Sequence, residues 1–295
     1  MGYLLNILVN KMASIIDGKI ISSKIKNQIK DKVAEFYNKY NRQIKLAVVL
    51  VGDDPASQVY VKNKIKACEF VGIQSLSFSL PKESSFEQVS DCVKALAVDT
   101  SVDGILVQLP LPKGIDEEAI LRLIPANKDV DGFLAENLGN LSMNKPSTVA
   151  CTPFGVMKML EETGVTIKGK NAVVVGRSNI VGKPMSMLLL NADCTVTVCH
   201  SKTNDLKTIC KNADILVAAI GKPKFITADM VKEGAIVIDV GINRTENGLV
   251  GDVDFDNVKE IASYITPVPG GVGPMTIAML MYNTYNCALR RQNEF

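Results

Sequence analysis

The stretch SQVYVKNKIKAC (57–68) sets three lysines at alternate positions inside an otherwise small and apolar run. On a helix turning about 100° per residue, Ser57, Tyr60, Val61, Ala67, Cys68 and Val71 all fall within about 60° of Lys64. Lys62 and Lys66 lie about 160° away and form an i, i+4 pair on the opposite, solvated face. A lysine on an apolar face ordinarily lays its stem along that face and keeps its ammonium in water. Lys64 shares its face with Tyr60, one turn earlier, and Ser57, two turns earlier, and this company favours a polar site. Desolvation disfavours the ammonium, and a neutral amine suits proton transfer near neutrality. On pattern alone both readings stand.

A second stretch has the makings of phosphate chemistry. NAVVVGRSNIVGKPM (171–185) reads as a strand, a turn and a helix, with Gly176, Ser178 and Gly182 spaced G-x-S-x-x-x-G. This is not the G-x-G-x-x-G dinucleotide fingerprint, and many strand-to-helix turns hold two glycines. Free amides at a helix N-terminus nonetheless bind phosphate oxygens. An NAD site usually places an acid at the end of the next strand, where it holds the ribose 2′-hydroxyl. Here that position carries CHSKT, with Ser201, Lys202 and Thr203 and no acid. With Arg177, these residues suit a 2′-phosphate and so favour NADP over NAD. The alternative is an exposed strand end with Lys202 merely solvated.

These groups need a scaffold, and short apolar runs alternating with amphipathic stretches predict a parallel α/β fold. Strands are expected at 45–52, 73–80 and 102–110, with helices over 57–71, 86–99 and 114–124. The region from NKDVDGF to about Thr148 reads as a polar loop. A second series opens at CTPFGVMKMLEETGV, where Thr152 is expected to cap a helix that Pro153 begins. Strands are then expected at 171–176, 194–200, 213–221 and 234–242. ITPVPGGVGPMT (265–276) reads as a loop, and the run from Ile277 to Arg291 as a closing helix. Two α/β units fit the 295 residues.

Composition removes several classes of function. The net charge is +2, with no basic stripe or acidic tail, so neither nucleic acid nor a membrane surface is an expected partner. Seven cysteines without C-x-x-C spacing point to reduced thiols in a cytoplasmic compartment, and with a single histidine they argue against a metal site. The opening MGYLLNILVNK lacks the charge and cleavage pattern of a signal peptide and reads as an extension. No stretch reaches the ~18 apolar residues of a membrane-spanning helix.

Taken together, ASQVYVKNKIKACEFVGI, DGILVQLPLP, NKDVDGF, CTPFGVMKML, VVVGRSNIVGKPMS, VIDVGIN and ITPVPGGVGPMT resemble the bifunctional methylenetetrahydrofolate dehydrogenase/methenyltetrahydrofolate cyclohydrolase family, in that family's order, from about Ile15 to Leu289. The resemblance implies a two-domain α/β fold. A folate-binding catalytic domain of 1–151 and 275–295 would face a Rossmann-like NADP-binding domain of 152–274 across a cleft. It also implies that 5,10-methylenetetrahydrofolate is oxidised with NADP and then hydrolysed to 10-formyltetrahydrofolate.

By the same resemblance Lys64 is the catalytic lysine, Gln108 its partner, Tyr60 the ring that stacks on folate, Asp131 the pterin acceptor, and Ser57 the serine behind the lysine. From pattern alone, Gln108 is a strand-end hydrogen-bonder and Asp131-Gly132 a turn. The implied NADP contacts are Gly176, Arg177, Ser178, Ser201 and Ile242, with Gly271 and Thr276 near the nicotinamide and Gly271 also on the substrate side. Leu109-Pro110 is an implied cis peptide, a homodimer is implied, and the length leaves no room for the ligase domain of trifunctional relatives. A monofunctional dehydrogenase would lack Lys64, a shikimate-type dehydrogenase would lack DVDGF and VQLPLP in this order, and a non-catalytic dinucleotide-binding regulator would not need a desolvated lysine beside an aromatic ring.

Overall fold

The computed structural model describes residues 12–246 and 248–293, so the opening MGYLLNILVNK lies outside the described residues. In the first lobe, β2 (Lys45–Val51) is the centre of a three-stranded parallel sheet, between β3 (Gln74–Leu80) and β4 (Gly104–Val107). Its unbroken apolar run is what a strand covered on both faces requires. Leu46 and Val48 join one core, with Val61 and Ala67 of α2 (Pro55–Val71) and Val33 and Phe36 of α1 (Gly18–Tyr40). Ala47 and Val49 point the other way, to Val89 and Val93 of α3 (Phe86–Val98) and Ile120 of α4 (Glu117–Leu121).

The second lobe is a six-stranded parallel sheet in the order β1 (Ser14–Ile15), β11 (Tyr264–Ile265), β8 (Ile236–Asp239), β7 (Ile215–Ala218), β5 (Asn171–Val175), β6 (Thr195–Cys199). Its faces carry α6 (Cys151–Glu162) and α7 (Gly182–Asn191) on one side and α8 (Leu206–Lys211) and α9 (Phe255–Val258) on the other. A hairpin of β9 (Asn243–Thr245) and β10 (Gly248–Val250) stands at the end of β8. The two edge pairings are unexpected: Ser14 and Ile15 align with Tyr264 and Ile265. From Ser14 the chain therefore runs first in the second lobe's sheet, crosses to the first lobe, and returns. It crosses again with α10 (Val272–Asn293), whose Ala278, Met279, Met281 and Cys287 fill the first lobe's core.

Several element boundaries differ from expectation for local reasons. α6 begins at Cys151 with Ala150 before it, so Thr152 is no cap; its hydroxyl meets that of Thr276 at 2.9 Å. α10 begins at Val272, because glycine and proline in a first helical turn forfeit no internal hydrogen bond. Thr276 is therefore helical rather than part of a loop. α2 likewise begins at Pro55, capped by Asp54, whose carboxylate accepts the Ser57 N–H at 2.7 Å. The polar stretch after Asp131 contains α5 (Ala135–Ser142). The third strand stops at Val107, short of Gln108.

Candidate active site

α2 places Lys64 as the spacing requires. Ser57, Val61, Lys64, Ala67, Cys68 and Val71 are buried, Lys64 with 9% of its surface exposed, while Lys62 and Lys66 are exposed. Lys64 Nζ donates to Gln108 Oε1 at 3.0 Å. Gln108 is fixed at both ends, since its N–H donates to Val49 O at 2.8 Å and its amide Nε2 to Leu109 O at 2.6 Å. The peptide that follows, Leu109-Pro110, is cis, as is Val268-Pro269. Ser57 is turned toward the helix start, where its backbone N–H and then its hydroxyl hold the Asp54 carboxyl below the usual carboxylate range.

The two aspartates of DVDG have different work. Asp129 accepts N–H groups from Gly132 (2.9 Å) and Leu134 (3.0 Å) and the Asn137 amide (2.8 Å), which folds the loop. Gly132 has a φ of +71°, and a Cβ there would lie 2.6 Å from the backbone at Val149 and Ala150. Asp131 has no hydrogen bond to other described side chains or backbone and keeps its carboxyl free for a ligand. Burial pushes that carboxyl up to about 6, Lys64 opposes the shift, and Asp129 adds to it. The buried thiol of Cys151 belongs to the same cluster: burial, then Asp131, raises it, and Lys64 lowers it. Nothing in the sequence singled it out.

Between the lobes lies a cleft of about 940 Å³. Tyr60, Asn63, Lys66 and Phe70 of α2 form one wall, Ile242 and Arg244 another, and residues 267–274, the end of a loop and the first turn of α10, the floor. Tyr60, Ile242 and Gly271 are the expected site residues that line it; Tyr60 is 41% exposed, one turn from Lys64. Lys64, Gln108 and Asp131 form the adjoining cluster inside the first lobe, while Ser57 is engaged with Asp54 at the start of α2. Thr276 makes its hydroxyl contact with Thr152 rather than lining the cleft. The Lys66 side chain was read as plain surface. A helix wheel gives the angle between two residues, not which flank meets a second lobe.

The nucleotide turn is shaped by contacts that leave no room for a side chain. Gly176 has a φ of +128°, and a Cβ on it would sit 2.2 Å from Ala219 O; one on Gly182 would sit 2.2 Å from Gly176 O. Ser178 Oγ accepts N–H groups from Val181 (3.2 Å) and Gly182 (3.4 Å) at the start of α7. Val175 pairs with Cys199, so this turn adjoins residues 200–203. There His200 N–H donates to Thr203 Oγ1 (2.9 Å) and Lys202 N–H to His200 Nδ1 (3.2 Å), leaving Ser201 and Lys202 exposed. The lone histidine thus braces a turn. With exposed Arg177 beside them and no acid in the segment, these residues fit a dinucleotide bearing a 2′-phosphate.

Residues 16–131 match the family model for the tetrahydrofolate dehydrogenase/cyclohydrolase catalytic domain, and residues 150–292 that for its NAD(P)-binding domain. The bifunctional protein FolD of Agathobacter rectalis is 58% identical over 273 residues, covering 92% of this chain and 98% of the relative. The crystal structure of the bifunctional FolD enzyme of Campylobacter jejuni superimposes with a TM-score of 0.92 at 50% identity, covering 95% of this chain and 99% of that one. The Trypanosoma brucei FolD, solved with NADP cofactor and an inhibitor, gives a TM-score of 0.90 at 39% identity, covering 95% and 98%. A buried lysine tied to a glutamine, a free aspartate, an interlobe cleft and full-length similarity agree: the chain belongs to the tetrahydrofolate dehydrogenase/cyclohydrolase family.

Proposed function

We infer that this chain runs two successive reactions at one site, and that the hydrogen bond between Lys64 and Gln108 beside the cleft is the observation that carries the reading. It is an NADP-dependent methylenetetrahydrofolate dehydrogenase and methenyltetrahydrofolate cyclohydrolase. Gly176, Arg177, Ser178 and Ser201 would hold NADP+, which when bound would supply the hydride acceptor for oxidation of the methylene carbon to the methenyl level. For that step the first lobe has only to orient folate. Tyr60 offers it a flat ring, and Asp131 accepts hydrogen bonds from the pterin. Ser57, two turns before the lysine, anchors the start of α2 through Asp54, and Gly271 keeps the floor of the cleft low. Ile242 lies against the dinucleotide, with Thr276 behind the floor.

Hydrolysis then asks more of the protein. Water adds to the amidinium carbon, and its oxygen gives up both protons as it becomes the formyl C=O; the C–N5 bond breaks and N5 takes one of them, so one proton is released overall. Lys64 Nζ is the group that moves these protons, and Gln108 aims it. A neutral amine still has N–H bonds to donate, so the Gln108 contact holds in both charge states. On this reading the folate chemistry belongs to residues 1–151 with 275–295 and the dinucleotide to 152–274, with the strand at Ser14–Ile15 lent to the second lobe's sheet.

The enzyme works in the cytoplasm as a homodimer. No described helix is long and apolar enough to cross a membrane, and β6 leaves an edge of the large sheet available for a second copy. Incubation with 5,10-methylenetetrahydrofolate and NADP+ tests the function: methenyl absorbance should rise and then decay. Size-exclusion chromatography with light scattering tests the dimer.

A further inference from the structure

Two carboxylates outside the site just described organise the second lobe's wall of the cleft. Asp252 is fully buried, and Asp239 is 2% exposed. Asp252 accepts the N–H groups of Ile220 (2.7 Å), Gly221 (3.0 Å) and Lys222 (2.8 Å), which follow β7, and the amide of Asn243 (2.9 Å), which follows β8. Asp239 accepts N–H groups from Gly241 (3.0 Å), Asp252 (2.9 Å) and Val253 (2.9 Å). Its own N–H donates to Thr266 Oγ1 at 2.7 Å, which ties β8 to the start of the cleft floor. No lysine or arginine pairs with either carboxylate among the described ion pairs, so backbone N–H groups are their main counterweight.

The neighbouring glycines are cut to the same fit. A Cβ on Gly241 would lie 2.2 Å from Asp252 Oδ1, and one on Gly251 would lie 1.8 Å from Asp239 Oδ2. VIDVGIN and GDVD are therefore two halves of one joint. Its product is Ile242, 47% exposed and lining the cleft, with Gly241 clamped by Asp239 on one side and Asn243 clamped by Asp252 on the other.

We propose that Asp252, seated on Asp239, is a positioning residue for dinucleotide binding. It touches no ligand itself, and it locks the loops after β7 and β8 so that Ile242 meets the dinucleotide in one arrangement. The proposal rests on the NADP-dependent reading above.

Asp252→Asn tests it, since the amide keeps the shape while turning an N–H toward donors that need an acceptor. NADP+ binding by titration calorimetry should weaken by roughly tenfold or more. Hydrolysis of methenyltetrahydrofolate without NADP+ should stay within about twofold of wild type, because the first lobe is untouched. Unchanged NADP+ affinity would overturn the proposal, and so would equal loss of affinity and hydrolysis. Should Asp252→Asn fail to fold, Asn243→Ala removes one clamp only; it should weaken NADP+ by roughly threefold, and unchanged affinity would again be decisive against the idea. A wild-type protein that binds NADP+ but turns over no folate would instead sink the proposed function and leave the affinity comparison standing.

Discussion

Lys64 Nζ lies 3.0 Å from Gln108 Oε1, joining α2 to the residue that follows β4 across the first lobe. A fixed acceptor denies the lysine the freedom to reach for solvent. Replacing Lys64 with methionine keeps the stem and removes the proton carrier. Hydrolysis of the methenyl cation should fall by ~10²–10⁴-fold, with part of the dehydrogenase rate retained. Parallel assays of the two half-reactions check this; equal loss of both with unchanged folate affinity would contradict the division of labour.

Asp131 should give folate binding a pH dependence. Burial pushes its carboxyl up to about 6, so the acceptor form is lost as pH falls through that value. KM for the folate substrate should rise below about pH 6, and Asp131→Asn should flatten the profile. The sign for stability is opposite. A carboxyl raised in the fold binds its proton more tightly there than in the unfolded chain, so its contribution favours the fold at low pH and is lost as pH climbs from about 4 to about 6. Urea titrations across this range should show a steeper fall in the wild type than in Asp131→Asn, since Asp239, its carboxyl also pushed up by burial, contributes to both.

Arg177 and Ser201 predict discrimination between the two dinucleotides. Arg177→Ala should raise KM for NADP+ by roughly tenfold and leave KM for NAD+ nearly unchanged, since only the former carries the 2′-phosphate. Equal or better kcat/KM with NAD+ in the wild type would refute the assignment.

Asp103 carries a structural prediction. It is fully buried and accepts from Arg42 Nη1 (2.8 Å), the Lys45 N–H (3.0 Å) and Arg291 Nη1 (3.3 Å), which pins α10 to the sheet. Asp103→Ala leaves the buried Arg291 with the carbonyls of Thr100 and Val102 but no counter-charge, and should lower unfolding stability by about 3 kcal/mol, measured by urea denaturation.

How much of this was legible depended on where each signal resides. The face of α2 could be read because its periodicity is carried by side chains, and the central strands because burial on both sides leaves an apolar run. β1 and β11 could not, since two residues give no period. The double duty of DVDG was hidden because Asp129 and Asp131 are chemically identical, and only the loop decides which one spends its oxygens on the backbone. Asp239 and Asp252 were invisible for a related reason: their partners are mostly N–H groups, which every residue but proline owns. The start of α10 was misplaced because glycine and proline signal a loop unless they fall in a first turn.

The pairing of Ser14–Ile15 with Tyr264–Ile265 has a consequence for how the molecule is made. The segment at Ser14–Ile15 must wait, unpartnered, until synthesis has passed Ile265. Neither half can be finished as a free-standing piece, since the large sheet needs a strand from the beginning and the small one needs the helix from the end. A nascent chain stalled before Tyr264 would leave both halves open to proteases together.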